Sequence, residues 1–276
     1  FGLIKQKIGH MVVDCYATEA TVNLVAHLSD QGYEDYSVEA AIAKVFASEA
    51  LWRTADESLQ TAGGSGYMRE YPYERILRDA RINRIFEGTN DVLRLYIALT
   101  GLNDLGQRLS ELATSLKGIF DDPIKGFGLL YEYARKRAGW AAATLRPPTA
   151  ELTRVHISLG AEVAIFEDLT RDLAAMADRI LRKHGKGIIG KQFASRRLAD
   201  VMIDLFVLAC TLSRVTASVE AADGDVDKVA REVDIARILA RQVKGRATRN
   251  FRKIDDNDDE LIKSLALHAY EREGYA

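Results

Sequence analysis

Apolar positions recur at helical spacing from the first residue, with Leu3, Ile4, Ile8, Met11, Val12, Cys15 and Tyr16 on one face. The pattern runs to about His27, where "SDQGYEDYS" breaks it, and predicts a first helix starting at or before Phe1. Ser37 is placed to cap a second helix, "VEAAIAKVFASEALWRTADESLQTA", whose alanine content gives high helix propensity and which should stop at Gly63 and Gly64. The loop "GGSGYMREYPYERILRDAR" then carries three glycines, aromatics and Pro72 before a short helical turn. From Thr89 the helical period returns, and Leu102, Leu105, Leu109, Leu112 and Leu116 alternate three and four apart as a packing seam does.

After residue 118 the composition shifts. The segment "DDPIKGFGLLYEYARKRAGWAAATLRPPTA" holds three of the four prolines and mixes aromatic with basic residues. Beyond it, helical patterns at about 150–184, 190–222, 226–252 and 257–272 are separated by "HGKGIIG" and "ADGDVD". The expected organisation is a domain over 1–118, a linker over 119–148 and a second domain over 149–276. No β-type alternation of useful length occurs, so the expected fold class is all-α, one helical bundle followed by another. Gly63, Gly64 and Gly66 follow a helix and lack the spacing of a dinucleotide loop.

Charge removes some functions. Lys plus Arg total 38 against 40 Asp plus Glu, a formal charge of -2, which leaves no electrostatic footprint for nucleic acid. Cys15 and Cys210 stand far apart in apolar helical contexts, as expected of buried thiols in a reducing compartment. No run reaches the length of a membrane span, and the start lacks a signal-peptide pattern. The chain opens in helical register without Met or a capping residue, as expected of a segment of something longer. The five histidines show no HxxxH or HExxH spacing, and "DDNDDE" at 255–260 lacks the glycine of a calcium loop; no metal site is expected, and the acidic run reads as a solvated helix start.

Two segments hold candidate chemistry. Residues 123–148 combine Phe127, Tyr131, Tyr133 and Trp140 with Lys125, Arg135, Lys136 and Arg137. Such a segment fits a membrane interface, and it fits equally a linker packed on its own protein. The second is "RIFEGTND". Taken alone, Glu87 is an acidic residue of the kind favoured near a helix N-terminus. Its neighbours add to that: Gly88 permits close backbone approach, Thr89 offers a cap and a hydroxyl, and Asn90 and Asp91 open a helix whose N-terminus can face an electron-rich ligand. In the preceding charged set, Glu74 and Arg78 stand four apart and should brace a short helix.

"LQTAGGSGYMREYPYERILRDARINRIFEGTNDVLRL" resembles the C-terminal α-domain signature of the acyl-CoA dehydrogenase family, and "KHGKGIIGKQFASRRLADVMIDLFVLACTLSR" resembles the added C-terminal domain of its very-long-chain branch. The resemblance implies an FAD-dependent oxidoreductase that converts fatty acyl-CoA to trans-2-enoyl-CoA in β-oxidation and passes electrons to electron-transfer flavoprotein. It implies that Glu87 is the α-proton base, with Phe86 and Gly88 flanking it at the thioester. It further implies flavin contacts from Gln60, Gly63, Gly64, Thr89, Asn90, Asp91 and, from the added domain, Gln192. A homodimer is expected, in the bacterial cytoplasm with peripheral contact to the inner membrane, or in a mitochondrial matrix. The same branch includes an assembly factor of respiratory complex I, so a non-enzymatic binding role is the alternative. The family's N-terminal and β-domains have no counterpart in these residues, so the chain alone is expected to be inactive.

Overall fold

The computed structural model describes residues 1–117 and 152–274, and among these residues every regular element is helical. α1 spans Gly2–Asp30, α2 Ser37–Thr61, α3 Gly64–Tyr67, α4 Tyr73–Ile82 and α5 Asn90–Lys117. After a turn of 3-10 helix at Ile157–Leu159 come α6 Gly160–His184, α7 Gln192–Ala221, α8 Ala230–Asp255 and α9 Asp259–Arg272. The linker expected at 119–148, with its amphipathic segment 123–148, lies outside the described residues, as do the side chains of Leu105, Leu109, Leu112 and Leu116. Among the described residues no helix is long and apolar enough to cross a membrane.

α7 is the axis of the fold. Most of its circumference is apolar, and only a narrow stripe with Ser213, Ala217 and Glu220 is left to solvent. Val201, Ile203, Leu205, Val207, Leu208, Leu212, Val215 and Val219 are all buried, and the helix packs on α1, α2, α5, α6 and α8. Each such side chain contributes about 1.5–3 kcal/mol by leaving water. One core therefore runs from Val13, Val45 and Ile97 in the first helices through Leu198 and Leu208 to Leu239 and Val243 in α8.

Polar groups enter this core in pairs. Asp204 of α7 is 6% exposed and accepts a bidentate fork from Arg246 of α8, at 2.9 Å from Nε and 2.7 Å from Nη2. Burial raises the Asp204 carboxyl, and the guanidinium works against that rise. Tyr16 of α1 donates to Glu232 of α8, which also accepts from Ser218 of α7 at 2.7 Å, while Arg214 stacks 4.1 Å from the Tyr16 ring.

Several local expectations are corrected. Ser37 does not cap α2 but is its first residue; Asp35 Oδ1 accepts from the Ser37 N–H at 3.0 Å and from its hydroxyl at 2.7 Å, the arrangement of an Asx turn. On α1 the buried stripe is Val13, Ala17, Ala20, Thr21 and Val25. Leu3, Ile8 and Val12, on the face that the spacing picks out, are exposed, and so is Cys15, against the expectation of a buried thiol. Period alone identified an apolar face of that helix without saying which neighbour it meets, and small residues won the close approach to α7. Cys210 is buried as expected, and burial pushes its thiol up to about 12. The acidic run at 255–260 is more than a solvated start, because Asp259 binds Arg197 of α7 at 2.7 and 2.5 Å and so fastens α9 to the bundle.

Candidate active site

Residues 83–89 join α4 to α5 as a loop closed by its own backbone. The Ile85 N–H donates to the Ile82 carbonyl at 2.8 Å, and the Asn90 N–H donates back to the Arg84 carbonyl at 3.1 Å. At its tip Glu87 and Gly88 are both left-handed, with φ of 52° and 87°. Glycine occupies that region freely, whereas a side chain there costs about 1–2 kcal/mol. Local preference therefore does not hold Glu87 in place. Phe86, Glu87 and Gly88 are exposed at the surface, Phe86 at 46%.

The holding groups come from α2. Lys44 Nζ donates to the Gly88 carbonyl at 2.7 Å and to Asn90 Oδ1 at 2.8 Å. Asn90 is only 3% exposed, and its Nδ2 donates to Ser48 Oγ at 2.9 Å and Glu49 Oε1 at 3.1 Å. Glu49 also faces Arg84 Nε at 3.1 Å and Arg94 Nη1 at 3.4 Å, and Arg94 Nε donates to Asp200 of α7 at 2.7 Å. Burial works to raise the Glu49 carboxyl, but the Asn90 hydrogen bond and the two guanidinium charges outweigh it and hold the group below its ordinary value. Desolvation lowers the Lys44 ammonium against the pull of Glu49 and Glu87. Arg81 and Arg84 each stand 5.9 Å from the Trp52 ring. The loop thus rests on a charged platform built from α2, α5 and α7.

The other expected site residues are placed as follows. Thr89 Oγ1 accepts from the Asp91 N–H at 3.4 Å, so Thr89 caps α5, and Asp91 is exposed in the first turn. The Asn90 side chain is spent on the platform. Gln60 ends α2 and, with Gly63 and Gly64, is exposed; Gln60 stands about 24 Å along the helix axis from Lys44 at 1.5 Å per residue. Gln192 is exposed at the start of α7, about 12 Å along that helix from Asp200. The chain therefore gathers residues 86–91 into one locus and leaves the other two groups apart from it. Among the described residues, a groove of about 720 Å3 between α1, α2 and α8 includes Lys7, His10, Trp52, Arg53 and Arg246, and none of residues 86–91 lines it. The Glu87 loop instead meets open surface among exposed Ile85, Phe86 and Val92.

Sequence reading did not find Lys44, Ser48, Glu49, Arg94 or Asp200 as parts of this locus. One signal was available: Lys44 and Ser48 fall a helical turn apart on the same stripe as buried Ala41 and Val45. Polar residues on a core-facing stripe require partners.

Residues 1–102 match the model "Acyl-CoA dehydrogenase, C-terminal domain", and residues 158–275 match "ACAD9/ACADV, C-terminal domain". The human very long-chain specific acyl-CoA dehydrogenase, a mitochondrial protein, is 42% identical over 218 residues, covering 79% of this chain and 32% of the relative. A probable acyl-CoA dehydrogenase, FadE10, of Mycobacterium tuberculosis is 26% identical over 275 residues, covering 95% of this chain and 41% of the relative. The crystal structure of an acyl-CoA dehydrogenase complexed with FAD from Bacillus anthracis superposes with a TM-score of 0.69 at 24% identity, over 92% of this chain and 42% of that one. The chain spans about a third of the length of the very-long-chain relatives. With both of its helical regions matched in order, the chain belongs to the acyl-CoA dehydrogenase family and carries its C-terminal domain followed by the ACAD9/ACADV C-terminal domain.

Proposed function

We propose that this chain is the C-terminal part of an FAD-dependent acyl-CoA dehydrogenase that converts long-chain or very-long-chain fatty acyl-CoA to trans-2-enoyl-CoA in β-oxidation, with Glu87 as the α-proton base. The observation that carries the reading is the Glu87 loop itself, a carboxylate held in a left-handed turn by groups from another helix, at the position where the family motif has its glutamate. Family membership supports the reaction class, and the human relative's name supports the long chain.

The fit to a flavin can be judged from the residues present. Thr89 has its oxygen occupied by the Asp91 N–H and its hydroxyl hydrogen free to donate, and exposed Phe86 and Val92 give an apolar flank for a flat aromatic ring. Thr89 and Asp91 would hold FAD at the start of α5, with Asn90 supporting them from beneath. Gln60, Gly63, Gly64 and Gln192 would reach the cofactor elsewhere on its length, the first three across a homodimer. Bound FAD supplies the acceptor for the β-hydrogen, which leaves as hydride.

The chain's own part is proton transfer. An α-proton next to a thioester is weakly acidic, so its removal needs a base fixed within reach and shielded from water. Glu87 takes that proton on its carboxylate. Phe86 and Gly88 bracket the thioester end, where an aromatic side chain excludes water and a residue without Cβ leaves room. Electrons then pass to electron-transfer flavoprotein, in the bacterial cytoplasm or the mitochondrial matrix, and residues 123–148 would give peripheral contact with a membrane. The division into domains at 1–118 and 149–276 belongs to the same reading.

The direct test is to mix the full-length protein anaerobically with a long-chain acyl-CoA. Bleaching of the flavin band with formation of the 2-enoyl-CoA is expected. No bleaching with medium, long or very long acyl chains would contradict the reading.

A further inference from the structure

We propose that Lys44 is a positioning residue for the Glu87 carboxylate, holding the left-handed turn of the base through the Gly88 carbonyl; this rests on the reading of Glu87 as the base.

Three observations carry it. First, the turn needs an external hold. Glu87 and Gly88 adopt successive positive φ angles, and only the second residue is a glycine. Within the loop the closing hydrogen bond runs from Asn90 to Arg84, and neither Glu87 nor Gly88 makes a backbone hydrogen bond of its own. Second, the Lys44 ammonium meets the peptide that leaves the turn, between Gly88 and Thr89. Its two acceptors, the Gly88 carbonyl at 2.7 Å and Asn90 Oδ1 at 2.8 Å, are both neutral. Spending the ammonium on the Gly88 carbonyl fixes the Gly88–Thr89 peptide plane, one residue beyond the base, and so anchors the C-terminal side of the turn that Glu87 and Gly88 make.

Third, the acceptor atoms are themselves fixed. Asn90 Oδ1 accepts from Lys44 while its Nδ2 donates to Ser48 and Glu49. Glu49 is in turn clamped between Arg84 and Arg94, and Arg94 is anchored on Asp200 of α7. Lys44 therefore delivers the rigidity of a three-helix platform to one point, the Gly88 carbonyl, one residue after the base. Preorganisation of this kind is worth much in catalysis, since displacing a reacting group by about 1 Å can cost on the order of 100-fold.

The test uses the full-length flavin-loaded protein with Lys44→Met, Lys44→Arg and, in parallel, Glu87→Gln. For Lys44→Met, kcat should fall about 10- to 100-fold while KM changes little, because geometry needed in the transition state is lost and substrate contacts are not. Flavin content should match the parent, and the isotope effect on kcat with α-deuterated acyl-CoA should rise as proton abstraction becomes more rate-limiting. Lys44→Arg keeps a charged donor and should recover most of kcat. A merely structural lysine would lower flavin content or melting temperature without raising the isotope effect. If Lys44→Met does not fold, Lys44→Gln is read in the same way. Parental kcat and isotope effect in Lys44→Met, with Glu87→Gln inert, would overturn the role of Lys44 alone. Turnover retained in Glu87→Gln would overturn both the base and its positioning.

Discussion

Arg94 and Asp200 meet at 2.7 Å across the packed faces of α5 and α7, joining the helix that begins at the Glu87 loop to the central helix of the fold. Arg94 keeps only 11% of its side-chain exposure, so its charge has little water to fall back on. Asp200→Ala is expected to lower the unfolding free energy of this chain by about 1–3 kcal/mol, the range for a lost hydrogen bond between charged groups. Arg196 also faces Asp200, but at 4.0 Å and largely in solvent. Its replacement by Ala should cost well under about 1 kcal/mol. Urea denaturation distinguishes the two, and equal effects would show that the buried contact carries no special weight.

Glu49 makes the platform sensitive to acid. Its carboxyl lies below the ordinary value of 4.5 because the Asn90 hydrogen bond and the Arg94 and Arg84 charges outweigh its burial. A depressed carboxyl contributes stability above its unfolded value and loses it as pH falls through the folded one. Melting temperatures of the parent and Glu49→Gln should therefore differ most above pH 4.5 and converge as the pH is lowered below it. A difference that stays constant through the acid range would exclude this role.

Gly66 has a steric reason to be glycine. A Cβ there would stand 2.2 Å from the Leu59 carbonyl oxygen, where α3 folds back over the end of α2. Gly64, two residues earlier, has nothing within 4 Å of the same construction. Gly66→Ala should destabilise by about 1–3 kcal/mol, as overpacking does. Gly64→Ala should stay within about 0.5 kcal/mol. Thermal unfolding followed by circular dichroism checks the contrast, and a neutral Gly66→Ala would show that the turn relaxes freely.

Much of this architecture was legible in the chain. The helical period set the order of the long helices, and glycines at 63 and 64 marked the end of α2, because these signals are local. The motif ending in Glu87, Gly88 and Thr89 located the loop. What could not be read was the choice of partner. Whether Val12 or Val13 of α1 meets the core depends on which helix lies beside it, and periodicity is silent on that. The same holds for Lys44, Glu49 and Asp200, whose meaning arises from contacts distant in sequence, 44 positions from Lys44 to Gly88 and 106 from Arg94 to Asp200. The Asx turn at Asp35 was missed for a smaller reason: Ser37 fits the cap consensus, but it is the first residue of α2 and donates to the carboxylate two places earlier.

The most direct measurement of the central claim is Glu87→Gln in the full-length protein. Glutamine keeps the size and the hydrogen-bonding length of glutamate but cannot take up the α-proton at neutral pH. With long-chain acyl-CoA under anaerobic stopped-flow, the variant should hold its flavin, bind substrate, and reduce the flavin at least about 100- to 10,000-fold more slowly than the parent, the span attributed to a positioned general base. Flavin reduction within about 10-fold of the parent rate would contradict the assignment, since so small a loss lies below what removal of the base entails.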